Sequence, residues 1–214
     1  PALLALAVLL VARALYPRPR DLEVTSVEFK TKGFSRVFWL YLAAVSLIAA
    51  GYVDFPLISY HFEKLSVVSK VWIPVFYAVA MGVDALSALF FGRLYDRGGL
   101  SILIFVSLIS SFFAPLVFLG GFHLALVGMA LWGVGMGAQE SIMRAAIAGM
   151  VSMNRRSTAY GIFNAGFGLF WFLGSALMGV LYDVSIPSLI IFSVVMQVAS
   201  IPFFISIRKS QDDF

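Results

Sequence analysis

Cysteine is absent from this 214-residue chain. No disulfide framework, thiolate metal site or catalytic thiol can be built from it, and the redox compartment leaves no trace. Histidine is nearly absent: His61 and His123 lie far apart, each at the end of an apolar run, so neither has a second ligand at metal spacing. No Ser-His-Asp constellation can be argued from them, so a membrane enzyme has no candidate machinery and no cofactor is expected. Charge is the third scarcity. Charged residues make up 12% of the chain and hydrophobic ones 61%, where soluble proteins carry about a quarter charged and about half apolar. There is too little polar surface to wet a globule, so a lipid bilayer must cover the rest.

Long apolar runs are what the chain has instead, at 1–15, 37–60, 70–92, 101–119, 123–150, 158–182 and 188–207. The last six are each long enough to cross about 30 Å of hydrocarbon at about 1.5 Å per residue. Lipid offers backbone groups no partners, so these runs are predicted to be helices. They do not alternate as the strands of a porin-like barrel would. The first run has no basic region before it and no small-residue cleavage pattern after it, which excludes a signal peptide. At about 15 residues it is shorter than the ~20 needed to span. It reads as a partial transmembrane helix, and the chain, which starts at Pro1, as a fragment of a multi-pass membrane protein with sequence missing upstream.

The basic residues sort by side rather than gathering into a patch, so the net charge of +4 does not point to a nucleic-acid partner. Arg13, Arg18, Arg20, Lys30, Lys32 and Arg36 surround the first connection. Arg93 and Arg97 follow the second full span, Arg155 and Arg156 the fourth, and Arg208 and Lys209 the sixth, all on one side. The other side has only Lys64 and Lys70, with Arg144 inside a span. Positive residues mark the cytoplasm. The expected organisation is a cytoplasmic loop over 16–36, a six-helix bundle over 37–207 and a cytoplasmic tail over 208–214, with the cell membrane as the expected location.

Gly92-Arg93-Leu94-Tyr95-Asp96 returns as Gly179-Val180-Leu181-Tyr182-Asp183, 87 residues later. The same offset aligns Ser101-Ile102-Leu103-Ile104-Phe105 with Ser188-Leu189-Ile190-Ile191-Phe192. Each unit is three helices, and an odd number of crossings makes the second unit enter from the opposite face. The bundle is therefore predicted to be two inverted three-helix repeats, an architecture associated with alternating access.

Gly92-Arg93-Leu94-Tyr95-Asp96-Arg97-Gly98-Gly99 resembles the Gly-x-Leu-x-Asp-Arg-x-Gly loop signature of the major facilitator superfamily, and it stands where that family places it, after the second helix of a three-helix repeat. The two basic residues that often follow are missing here, where Leu100 comes directly after Gly99. The resemblance implies twelve helices in two halves that rock about a central site. The partial helix would match the sixth, the six full spans the seventh to twelfth, and the N-terminal half would be the missing partner. It also implies a cytoplasmic gate in which Asp96 and Arg97, after Gly92, engage Glu140 and Arg144 on the fourth span. Taken by themselves, Glu140 and Arg144 are four residues apart and can form a local ion pair, and Arg93 and Arg97 can simply anchor a helix end.

Charges in hydrocarbon are costly and by default mark function or interior pairing. Two candidates for substrate contact or proton coupling follow. Asp84 shares a helical face with Tyr77, Ala80, Met81, Ser87 and Ala88. Asp54 stands beside Gly51 and before Pro56, where a bend is expected because proline frees a carbonyl near Tyr52. A carboxyl group in a partly dry cavity titrates nearer neutrality, as proton coupling requires; either aspartate can equally be paired with the absent half. Asn164 and Trp171 share a face with Gly161, Gly168 and Ser175, suited to hydrogen bonding and stacking or to close helix contact. Gly133-Val134-Gly135-Met136-Gly137 is mid-membrane and cannot be a nucleotide loop. The third and sixth spans contain no ionisable side chain and read as lipid-facing support, and most of the 21 Phe are expected to face lipid. The function expected is transport of a small solute by alternating access as a secondary transporter, with proton coupling as one form. An uncoupled facilitated carrier and a transporter-like receptor or scaffold without flux are the alternatives.

Overall fold

The structure is a computed structural model that describes residues 33–212, with side chains as far as Lys209. The partial helix expected over 1–15 and most of the loop expected over 16–36 lie outside the described residues, as do the last two of the tail. The described residues are helical throughout, without a strand, and contain six helical stretches long and apolar enough to cross a membrane.

The first span runs from Arg36 to Lys64 and is two helices, α1 (Arg36–Gly51) and α2 (Phe55–Lys64). Ser35 starts it by accepting the Phe38 N–H at 3.3 Å. The chain leaves the helix at Tyr52 and re-enters at Asp54, both in extended conformation, with Pro56 in the first turn of α2. The bend expected near Pro56 is thus a complete break over 52–54. The second span is α3 (Trp72–Gly98). Its end is set by Gly99, whose φ of +56° is open to glycine at little cost and whose N–H returns to the Tyr95 carbonyl at 2.8 Å. Gly99 is the final glycine of the loop signature, so that position of the motif has a backbone reason.

The third span, Ser101–Leu119, is α4 (Ser101–Ser110) and α5 (Phe113–Leu119). The fourth is the unbroken α6 (Phe122–Met150). After a single 3-10 turn at Met153–Arg155, α7 (Arg156–Val184) forms the fifth. The sixth is α8 (Ile186–Ala199) followed by α9 (Ile201–Asp212). Breaks in the third and sixth spans were not expected from their uniform apolarity. Both precede a proline, Pro115 and Pro202, whose missing N–H and ring end the preceding helix about four residues back. These prolines are themselves 87 residues apart, a repeat signal in the sequence beyond the two alignments given above.

Packing follows the same repeat. α3 lies along α6, and α7 lies along α1; the third span packs on the fourth, and the sixth on the first. A shift of 87 residues exchanges the members of each pair of contacts. At Gly137, a side chain would strike the backbone of Asp84 and Ala88 and meet the Ser87 Cβ at 3.0 Å; at Gly174, it would strike the backbone of Ala50. Position 87 is the repeat equivalent of 174, and 50 that of 137, so the two crossings are one contact made twice. Ser110 and Gln197, also equivalent, meet at 3.3 Å. Where equivalent residues touch, the pseudo-twofold axis passes between them.

Within the described bundle the third and sixth spans are 50% and 33% buried, against 22% and 17% for the second and fifth, so this chain's own packing covers the second and fifth spans least. The third and sixth spans also bury Ser107, Ser110, Ser111, Ser193, Gln197 and Ser200, polar groups that need protein partners because lipid supplies none. Phenylalanine is more often core than lipid-facing: Phe38, Phe62, Phe76, Phe91, Phe113, Phe118, Phe163 and Phe204 are buried, and Phe90, Phe105, Phe112, Phe170 and Phe172 are exposed. Ring shape fills the gaps between helices that glycines bring close.

Candidate functional site: a broken helix beside a polar pocket

A helix break inside hydrocarbon releases backbone groups that must find partners elsewhere. Here they come from the sixth and fourth spans. The Gly51 carbonyl accepts from Ser193 Oγ at 2.6 Å and the Val53 carbonyl from Trp132 Nε1 at 2.9 Å, while the Tyr52 hydroxyl donates to the Trp132 carbonyl. Asp54 then presents its carboxylate to α7. The indole N–H of Trp171 donates to Oδ1 at 2.5 Å, and the Ser175 hydroxyl, one turn on, donates to Oδ2. Both donors are neutral, so the carboxylate has hydrogen bonds but no counter-charge from this chain's described residues.

A cavity of about 220 Å³ opens on the same α7 face. Met136, Gln139, Glu140, Met143 and Arg144 of α6 form one wall, and Phe163, Asn164, Phe167 and Trp171 of α7 the other. Both sets follow helical spacing, so each is a single stripe. Phe163, Phe167 and Trp171 form an aromatic series with centroids 5.7 and 5.5 Å apart, which continues to Tyr52 at 6.1 Å from Trp171. Gln139 is only 6% exposed, and its Oε1 is buried with no hydrogen-bond partner. Asp84 also keeps one buried, unpartnered carboxylate oxygen, at the α3 turn against which Gly133 and Gly137 close.

The structure regroups the residues singled out in the sequence. Asp54, Trp171 and Ser175 form one hydrogen-bonded cluster, and Glu140, Arg144, Asn164 and Trp171 share one pocket. Tyr77 stacks on Phe55 with centroids 4.3 Å apart and makes no hydrogen bond among the described residues. The expected gate network is not formed within this bundle: no ion pair joins Asp96 or Arg97 to Glu140 or Arg144, and Glu140 and Arg144 do not pair with each other. Gly92 does lie against Ser141, at 3.9 Å from where its Cβ would stand. Arg97, however, borders an outward groove on α3 with Leu86, Leu89, Phe90, Arg93 and Leu94, while Glu140 and Arg144 point to the pocket on the α7 side. The two charge sets occupy different helix faces.

Two features escaped sequence reasoning. Gln139 stands next to Glu140 and at helical spacing from Met136 and Met143, but polarity alone gave it no priority over other amides. His61, expected at an interface, is 1% exposed; its Nδ1 lies 3.2 Å from the Tyr182 hydroxyl and its ring 4.8 Å from that of Phe118.

The sequence profile of the Major Facilitator Superfamily matches residues 72–213. The chain belongs to that superfamily. Its members are membrane transporters rather than enzymes, and the chain is a multi-pass integral membrane protein. An uncharacterized protein of Mycobacterium bovis and two of Mycobacterium tuberculosis are each 34% identical to it over 210 residues, which is 95% of this chain and 51% of theirs. The chain therefore spans about half the length of the curated relatives it matches. No solved structure matches it.

Proposed function

We propose that this bundle is the C-terminal half of a secondary transporter that moves a small solute by alternating access. The observation that carries the reading is the inverted repeat in the packing, with equivalent residues Ser110 and Gln197 in contact and a polar pocket on one side. Two pseudo-symmetric triplets can exchange which end is tightly packed, and that exchange is what alternating access requires. The second and fifth spans expose large apolar side chains such as Leu86, Leu89, Phe172 and Val180, and these faces receive the other six-helix half. In that assembly Asp96 and Arg97 pair with charges of the other half and hold the cytoplasmic side shut, with 16–36 and the tail on that side. The membrane is the cell membrane.

Proton coupling is the preferred form, through Asp84, whose buried, unpartnered oxygen supports reversible protonation. The test uses full-length protein in liposomes, a labelled solute panel and an imposed pH gradient. Wild type should accumulate one solute class, and Asp84→Asn should lose gradient-driven accumulation while keeping exchange. Unchanged accumulation removes Asp84 from the mechanism. Accumulation that ignores both pH and sodium identifies an uncoupled carrier. Binding without flux of any solute identifies a receptor and refutes the transport reading.

A further inference from the structure

The 220 Å³ pocket places an acid and a base, Glu140 and Arg144, beside an aromatic wall, and both charged side chains are exposed toward the same space. Glu140 and Arg144 are one turn apart on α6 yet form no ion pair, although charges at this spacing attract. Asn164 faces them from α7, and the rings of Phe167 and Trp171 lie between the polar groups and the Asp54 clamp.

We propose that this pocket binds an aromatic zwitterion of about amino-acid size, its ammonium group held by Glu140, its carboxylate by Arg144 and Asn164, and its ring stacked along Phe167 and Trp171. The chemistry follows from the charges. A purely cationic solute would leave the Arg144 guanidinium facing it, and a purely anionic one would face the Glu140 carboxylate. A molecule carrying both charges close together satisfies both and takes the place of the ion pair that Glu140 and Arg144 do not make. The volume, below the usual range of about 300–1,000 Å³ for ligand pockets, suits a small solute. The ring wall adds stacking rather than charge, and Trp171 is held in place for it by its bond to Asp54. This assignment rests on the transporter reading and names the solute class of its site.

The probes are L-phenylalanine, phenethylamine, which keeps only the ammonium, and 3-phenylpropanoate, which keeps only the carboxylate. Each is titrated calorimetrically into purified full-length protein. Wild type should bind L-phenylalanine at least tenfold tighter than either single-charge analogue. Glu140→Gln and Arg144→Gln should each weaken L-phenylalanine roughly ten- to hundredfold, the range for losing a hydrogen bond to a charged group. Glu140→Gln should also erase the preference over 3-phenylpropanoate, and Arg144→Gln the preference over phenethylamine. Both side chains are exposed, and unaltered melting of each variant checks that folding is intact. Equal binding of a single-charge analogue, or no binding of L-phenylalanine, overturns the assignment. So do preferences unchanged in both variants, which would make these charges partners of the other half. If another solute crosses liposomes while L-phenylalanine does not bind, the zwitterion assignment fails and the transporter reading stands. If L-phenylalanine binds with the expected preferences but no solute crosses, the site stands and the transport reading fails.

Discussion

Adding one methyl group at Gly174 should destabilise the bundle more than any other single glycine-to-alanine change on α7. A Cβ there lands on the carbonyl oxygen and Cα of Ala50, which is backbone in the last turn of α1 and cannot move by rotamer change. α1 and α7 must therefore separate. Overpacking of this kind costs about 1–3 kcal/mol. Separation also stretches the bonds that Trp171 and Ser175, flanking residue 174, donate to Asp54; inside membranes such bonds contribute about 0.6–1.7 kcal/mol. Alanine regains at most about 1 kcal/mol of helix propensity over glycine. The net loss is about 1–3 kcal/mol, which at roughly 2–4 °C per kcal/mol for a chain of this size lowers the melting temperature by about 2–12 °C. The assay is thermal melting of detergent-solubilised protein followed by size exclusion. Gly149→Ala is the control, since nothing lies within 4 Å of a Cβ there, and it should melt at or slightly above wild type. Gly137→Ala, the repeat-equivalent contact against α3, should fall with Gly174→Ala, and the two losses should add because the sites share no partners. Equal melting of Gly174→Ala and Gly149→Ala would refute the close crossing and the repeat argument built on it.

Other expectations follow from single groups. Gln139→Leu removes an acceptor that is already unpartnered, so unliganded protein should melt no lower than wild type, in contrast to an ordinary loss of a buried hydrogen bond; a melting drop would mean the amide is satisfied. Trp132→Phe leaves the Val53 carbonyl unpaired at the helix break and should cost about 1–3 kcal/mol in the same melting assay. Asp54→Leu strands two donors, Trp171 and Ser175, and should destabilise more than Asp54→Asn, which keeps an acceptor. Outside the bilayer, the Glu63 carboxylate raises the Lys70 pKa through a 2.7 Å bridge between exposed groups. A raised lysine pKa contributes fully below its ordinary value of about 10.4 and is lost only as pH rises through the higher folded value. The difference in melting between Lys70→Ala and wild type should therefore be the same at every pH from 6 to 9, and a difference that changes across this range would refute the assignment.

Sequence alone determined that the described chain is six membrane-length helices and that they form two units 87 residues apart. Apolar run length follows from bilayer thickness, and an odd helix count per unit forces inversion, so neither needed coordinates. It also located the first break to within a few residues, because Pro56 cannot donate and must free a carbonyl. Pro115 and Pro202 carried the same information for the third and sixth spans, at the repeat offset, inside runs whose apolarity concealed it. What tertiary structure decided was which faces meet. Gly137 and Gly174 fix how helices cross, and that rotation sends Glu140 and Arg144 toward Asn164 and Trp171 rather than toward Asp96 and Arg97. It likewise turns serines of the third and sixth spans inward and leaves the second and fifth spans least covered by this chain. Helical periodicity says which residues share a stripe; only the packing of one helix against another says what that stripe faces.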